Sequence, residues 1–135
     1  MKLDADHLMA AYKAMGSGNR DEVLQYWSED LVFSIPGHSQ VAGMCNGLDE
    51  YLAFRRKCGE LSDHSTSREV ATLIVGDDYT ADVGALRAHR AEDPSKTLDI
   101  ETFHWLRWED GKVVEGKGGS FGKGQDEYDD FWGQA

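Results

Sequence analysis

The sequence predicts an α+β domain in which helices come first and pack on one face of a curved antiparallel sheet. Three observations carry this. The first third shows apolar residues at helical spacing, such as Leu8, Ala11, Tyr12 and Met15. From Leu98 to Trp108 apolar and polar residues alternate with the period of a strand, and Asp110-Gly111 then supplies a tight turn for a returning strand. Between these regions strand-like runs follow one another across turn signals with no helix between them, which favours antiparallel pairing.

Residues 4–15 read as the first helix, stopped by Gly16 and Gly18. Asn19 opens a second, short helix, with Glu22 as a capping-box partner and Val23, Leu24 and Trp27 as its apolar face. Residues 31–35 form a short strand ended by Pro36-Gly37. The stretch PGHSQVAGMCNG reads as a loop, because three glycines and a proline let the backbone turn sharply. A third helix spans 48–58, closed by Gly59, with Leu48, Leu52 and either Phe54 or Arg55 facing inward. Strands follow at 69–75, at 79–91 after the Asp77-Asp78 turn, and at 97–109 after a hairpin loop at 92–96. The last strand starts at 112–115 and enters a glycine-rich run, GKGGSFGKG, whose glycines bend it or admit another backbone closely. Residues 125–132 read as a closing helix carrying Tyr128, Phe131 and Trp132.

The 135 residues suit one domain spanning 1–135, with 40% hydrophobic and 29% charged side chains. A formal net charge of -11 argues against a nucleic-acid partner and against an anionic membrane surface. No apolar run is long enough to span a membrane, and no signal segment precedes the first helix, so a cytoplasmic protein is expected. Cys45 and Cys58 lack the spacing of a zinc or redox pair and read as reduced thiols. The five histidines show no HxH or HExxH spacing, no phosphate loop fits, and no GxSxG element occurs. Neither a metal nor another cofactor is therefore expected.

Several stretches resemble the SnoaL-like proteins: GNRDEVLQYWSEDLVF, IPGHSQVAGMCNG, LRAHRAEDPSKTLDIETFHWLRWEDGKVVE and the terminal DEYDDFWG. That family belongs to the superfamily of ketosteroid isomerase, polyketide cyclases, limonene-type epoxide hydrolases and nuclear-transport-factor-2-like modules. The resemblance covers nearly the whole chain. It implies a cone-shaped bent antiparallel sheet wrapped around the N-terminal helices, a pocket at the wide end, and commonly a homodimer.

His104 is the leading catalytic candidate, since it interrupts the apolar face of the longest strand and imidazole exchanges protons near neutral pH. Its expected cross-strand partner is Val83 or Gly84. Asp126 matches the region where cyclase relatives keep an acid/base aspartate, and it reads more readily as an N-cap for the closing helix. His38, in the Pro-Gly loop, is expected near the pocket mouth. Arg87 is expected to turn inward if Tyr79, Val83 and Ala85 share the inner face. In the family's fold Tyr12, Trp27, Phe33, Phe54 and Trp108 would line a cavity for a hydrophobic ring-bearing ligand. Phe103 and Trp105 fall on the opposite face, where two exposed aromatics suit a subunit interface.

The expected function is a small-molecule pocket protein, a cofactor-independent acid/base enzyme such as an isomerase or cyclase acting on a hydrophobic carbonyl or ring compound. The alternative is a non-catalytic ligand-binding or dimerisation module of the same fold. Epoxide hydrolysis is a weaker reading, which would place Arg87 at the centre of an Asp–Arg–Asp set.

Overall fold

A computed structural model describes residues 2–135. Helix α1 (Ala5–Gly16) is capped by Asp4, whose carboxylate accepts the His7 amide at 2.7 Å. Helix α2 (Arg20–Val23) begins at Asn19, whose side-chain oxygen accepts from Asp21 and Glu22. Strand β1 (Trp27–Ile35) follows, then β2 (Gly43–Asn46), helix α3 (Leu48–Leu61), and strands β3 (Ser67–Val75), β4 (Tyr79–His89), β5 (Thr97–Glu109) and β6 (Lys112–Ser120). Helix α4 (Gly124–Trp132) closes the chain. The six strands form one sheet in the order β2-β1-β6-β5-β4-β3, in which only β1 and β6 run parallel.

Strand β3 begins two residues earlier and β4 ends two residues earlier than the sequence suggests, and three further differences bear on the site. Strand β1 starts at Trp27, because the parallel partner β6 extends the ladder back to Trp27 opposite Val113. The expected loop contains β2, which pairs Gly43–Asn46 with Ile35–Val32. Gly59 does not close α3. The helix runs three residues further, to Leu61, and buries Leu48, Tyr51 and Cys58.

The sheet's inner face carries Leu98, Ile100, Thr102, Leu106 and Trp108 of β5, with His104 among them. It carries Thr80, Asp82, Gly84 and Ala88 of β4. The β4 phase is opposite to the expected one, so Asp82 and not Val83 or Gly84 stands across from His104, and Arg87 is turned outward. Arg87 is exposed and paired with Asp99 at 3.3 Å. On the outer face Phe103 meets Phe121 at 5.3 Å, and Trp105 lies between Tyr79 and the Lys117 ammonium.

Buried side chains fall into two groups. One joins α1, β1 and α3 to the β5–β6 end of the sheet through Leu8, Trp27, Leu31, Phe33 and Leu106. The other joins Val41, Cys58, Leu98 and Ile100 to Phe131 and Trp132 of α4. Phe54 touches both. Helix α4 is held by side-chain donors on its last carbonyls, which lack helical partners. Arg90 donates to Phe131 O (3.0 Å) and Trp132 O (2.8 Å), and Gln40 Nε2 donates to Trp132 O (2.7 Å).

Glycines on β6 make room for inner-face rings. A Cβ on Gly116 would collide with the ring of Phe33, and one on Gly118 would crowd His104 at 3.3 Å. Gly116→Val is expected to destabilise the fold by about 1–3 kcal/mol through overpacking, read as a lower urea midpoint with an unchanged slope.

Candidate ligand cavity

The two buried groups do not meet completely. Between them lies a cavity of about 530 Å³, within the range that holds a drug-sized molecule. Its apolar wall includes Met15, Trp27, Phe33, Phe54, Leu86 and Trp132, and its polar groups include Tyr12, Arg55, Arg68, Thr102 and His104.

One hydrogen-bonded network organises the polar side. The Asp82 carboxylate has no solvent-exposed side-chain surface. One of its oxygens accepts from Arg68 Nη1 and the other from the Tyr12 hydroxyl. Arg68 is itself oriented by Thr102, donating through Nε to Thr102 Oγ1 at 2.7 Å and through Nη2 to Thr102 O at 3.1 Å. Tyr12 Oη also lies 3.1 Å from His104 Nδ1. The hydroxyl has one proton and commits it to Asp82, so at His104 it accepts, and Nδ1 carries the imidazole hydrogen. Nε2 is then the unprotonated nitrogen, and it has no hydrogen-bond partner among the described residues. Burial holds the His104 pKa down to about 3, and the Arg68 and Arg55 charges push the same way. The imidazole is therefore a neutral hydrogen-bond acceptor at physiological pH, not the near-neutral titrating group its residue type suggests. Burial, helped by the Asp82 charge, drives the Tyr12 phenol far above its ordinary range, so it stays protonated.

The structure brings together some of the residues named from sequence and separates others. Tyr12, Trp27, Phe33, Phe54 and His104 all line the cavity. Trp27 Nε1 donates to Ala11 O at 2.9 Å, and the Phe33 ring sits edge-on to His104 with centroids 6.0 Å apart. Trp108 is buried away from the cavity, beside His7, and donates to Thr80 Oγ1 at 2.9 Å. Asp126 is exposed in the first turn of α4 and does not line the cavity. It is not the N-cap either, since Lys123 holds that position without a side-chain cap bond. His38 is 80% exposed and paired with the buried Asp129 at 3.2 Å, so it fastens its loop to α4 outside the cavity. With Arg87 outward, the Asp–Arg–Asp set proposed around it is not assembled. The Arg–Asp pair at the cavity is Arg68–Asp82, and no carboxylate lines the cavity wall among the described residues.

Asp82 and Arg68 are the residues the sequence reading missed. The available signal was a charged residue in the middle of the 79–89 strand, two positions from small inner-face neighbours on either side. The opposite strand phase hid it.

The α+β fold is shared with known proteins, by sequence and by structure. The SnoaL-like domain family matches residues 8–116, and the chain belongs to that family. The structure of Bal32a from a soil-derived mobile gene cassette is 20% identical, with 95% of each chain covered and a TM-score of 0.83. A protein of unknown function with a cystatin-like fold from Xanthomonas campestris is 25% identical over 95% of this chain and 96% of the other, with a TM-score of 0.79. TerC, co-crystallised with polyporic acid, is 14% identical over 85% of this chain and 88% of its own, with a TM-score of 0.72. No curated protein gives a significant match.

The lowered pKa has a consequence for stability. Between pH 6.5 and about 3 the unfolded histidine binds a proton that the folded one refuses, so stability falls as pH drops through that window. From pH 7 to 5 this one group removes about 2 kcal/mol, given an unfolded pKa near 6.5. His104→Gln is expected to lose correspondingly less stability over that interval, measured by urea unfolding at the two pH values.

Proposed function

We propose that this protein binds a hydrophobic carbonyl or ring compound in the cavity and performs cofactor-independent acid/base chemistry on it, as an isomerase or cyclase does. The observation that carries the reading is His104 at the cavity wall, its Nε2 without a partner among the described residues and its tautomer set by Tyr12 and Asp82. Proton transfer from a carbon acid to Nε2 requires no rearrangement, because Nδ1–H already points to Tyr12 and Tyr12 to Asp82. An enolate formed beside Arg55 would be stabilised by that guanidinium. Family membership and the ligand-bearing TerC structure support a small-molecule role.

The weak basicity of His104 and the lack of a lining carboxylate favour a second reading, a binding module that converts nothing. The two readings separate with 2-tetralone, an enolisable bicyclic ketone, in deuterated buffer. The enzymatic reading expects binding together with accelerated exchange at the α-carbon followed by NMR, reduced about 100-fold in His104→Gln, the scale of a general base. Binding without acceleration would leave only the module.

The same reading includes a homodimer through the outer sheet face, whose exposed Ile74, Tyr79 and Phe103 are costly in water. Phe103→Glu is expected to shift a dimer to a monomer in sedimentation velocity. A wild-type monomer would reject the interface.

A further inference from the structure

We infer that the compound taken by the cavity carries an anionic oxygen group, a carboxylate or an ionised enol, received by Arg55. This rests on the pocket reading above and names the class of ligand it takes.

The charge balance of the wall is the first argument. Two guanidiniums line the cavity and no carboxylate does, among the described residues. Arg68 is matched from behind by Asp82. Arg55 is not matched: it makes no ion pair among the described residues. Its neighbours one turn away on α3 are Tyr51, Leu52, Cys58 and Gly59, none of them acidic.

Acid is not scarce in this chain, which has 25 Asp and Glu against 14 Lys and Arg. Arg20, Arg68, Arg87, Arg90 and Arg107 all reach carboxylates. Arg56, the other arginine without an ion pair, does not line the cavity. An uncompensated cation at an aromatic-walled hollow, in a strongly acidic protein, marks a place where the ligand supplies the negative charge.

The Arg55 charge also acts on the polar side of the cavity. Arg55 contributes to depressing His104 and works against burial at Tyr51, so its field reaches the same space as Nε2. An anion seated at Arg55 cancels that field. His104 then becomes a better proton acceptor when the ligand is bound than when the cavity is empty.

The test compares 2-naphthoate with its neutral isostere 2-naphthamide, titrated calorimetrically at pH 7.5 and low salt against wild type, Arg55→Gln and Arg56→Gln. Arg55 is exposed, so water screens its charge and a modest preference is expected: wild type binds the naphthoate about three- to tenfold more tightly than the amide. Arg55→Gln abolishes that preference, and Arg56→Gln keeps it. Equal affinities in wild type, or a preference surviving in Arg55→Gln, would overturn the inference while amide binding leaves the pocket reading standing. Failure of both compounds to bind would overturn the pocket reading and this inference with it.

Discussion

The buried carboxylate of Asp82 is the constraint on which the rest of the polar architecture depends. A carboxylate removed from water is tolerated only when its oxygens are paired, and removing one partner of such a pair typically costs about 3–5 kcal/mol. Arg68 and Tyr12 meet that requirement from two different directions. Arg68 comes from the edge strand β3 and Tyr12 from α1, so one residue of β4 ties the sheet's edge to the first helix. The tie has a chemical consequence as well. By taking the only proton of the Tyr12 hydroxyl, Asp82 decides which nitrogen of His104 is protonated.

The hollow itself follows from a division of the apolar side chains. Those near β1 and those beneath α4 form separate groups, and among the described residues only Phe54 packs against both. Strand β6 keeps the interval open, since its glycines yield space to Phe33 and His104 where side chains would fill it. Helix α4 supplies the far wall through Tyr128 and Trp132 and is held by Arg90 and Gln40 on its terminal carbonyls. Burial of the Tyr128 phenol raises its pKa, so that wall presents no negative charge. Among the described residues, every group lining the hollow is therefore neutral or cationic.

Kinship fixes less than this geometry does. Solved structures at 14–20% identity share the cone but carry no information on which side chains act in this chain. The acid/base aspartate suggested by resemblance falls on an exposed helical turn, whereas the buried carboxylate, Asp82, lies mid-strand, behind tyrosine and arginine.

Local patterning determined most of the fold. Period-two alternation over 97–109, the Asp110-Gly111 turn and the caps at Asp4 and Asn19 are short-range effects, and each is legible from adjacent residues. The aromatic lining was legible in part, because Tyr12, Trp27, Phe33 and Phe54 recur on apolar faces of their elements. Pairing was not legible. Strand β2 exists only because β1 lies beside it, and the phase of β4 is set by burial against helices distant in sequence. That phase could not be read from 79–89, where both residue sets mix small, polar and charged side chains. A shift of one residue exchanges Asp82 for Val83 and turns Arg87 from solvent to core. The bonds from Tyr12 to Asp82 and His104 join residues 70 and 92 positions apart, and no spacing rule reaches that far. The chain alone determined the elements and the aromatic character of the interior. Tertiary structure decided which charges are buried together, because that depends on strand register and helix docking, which are properties of the whole molecule.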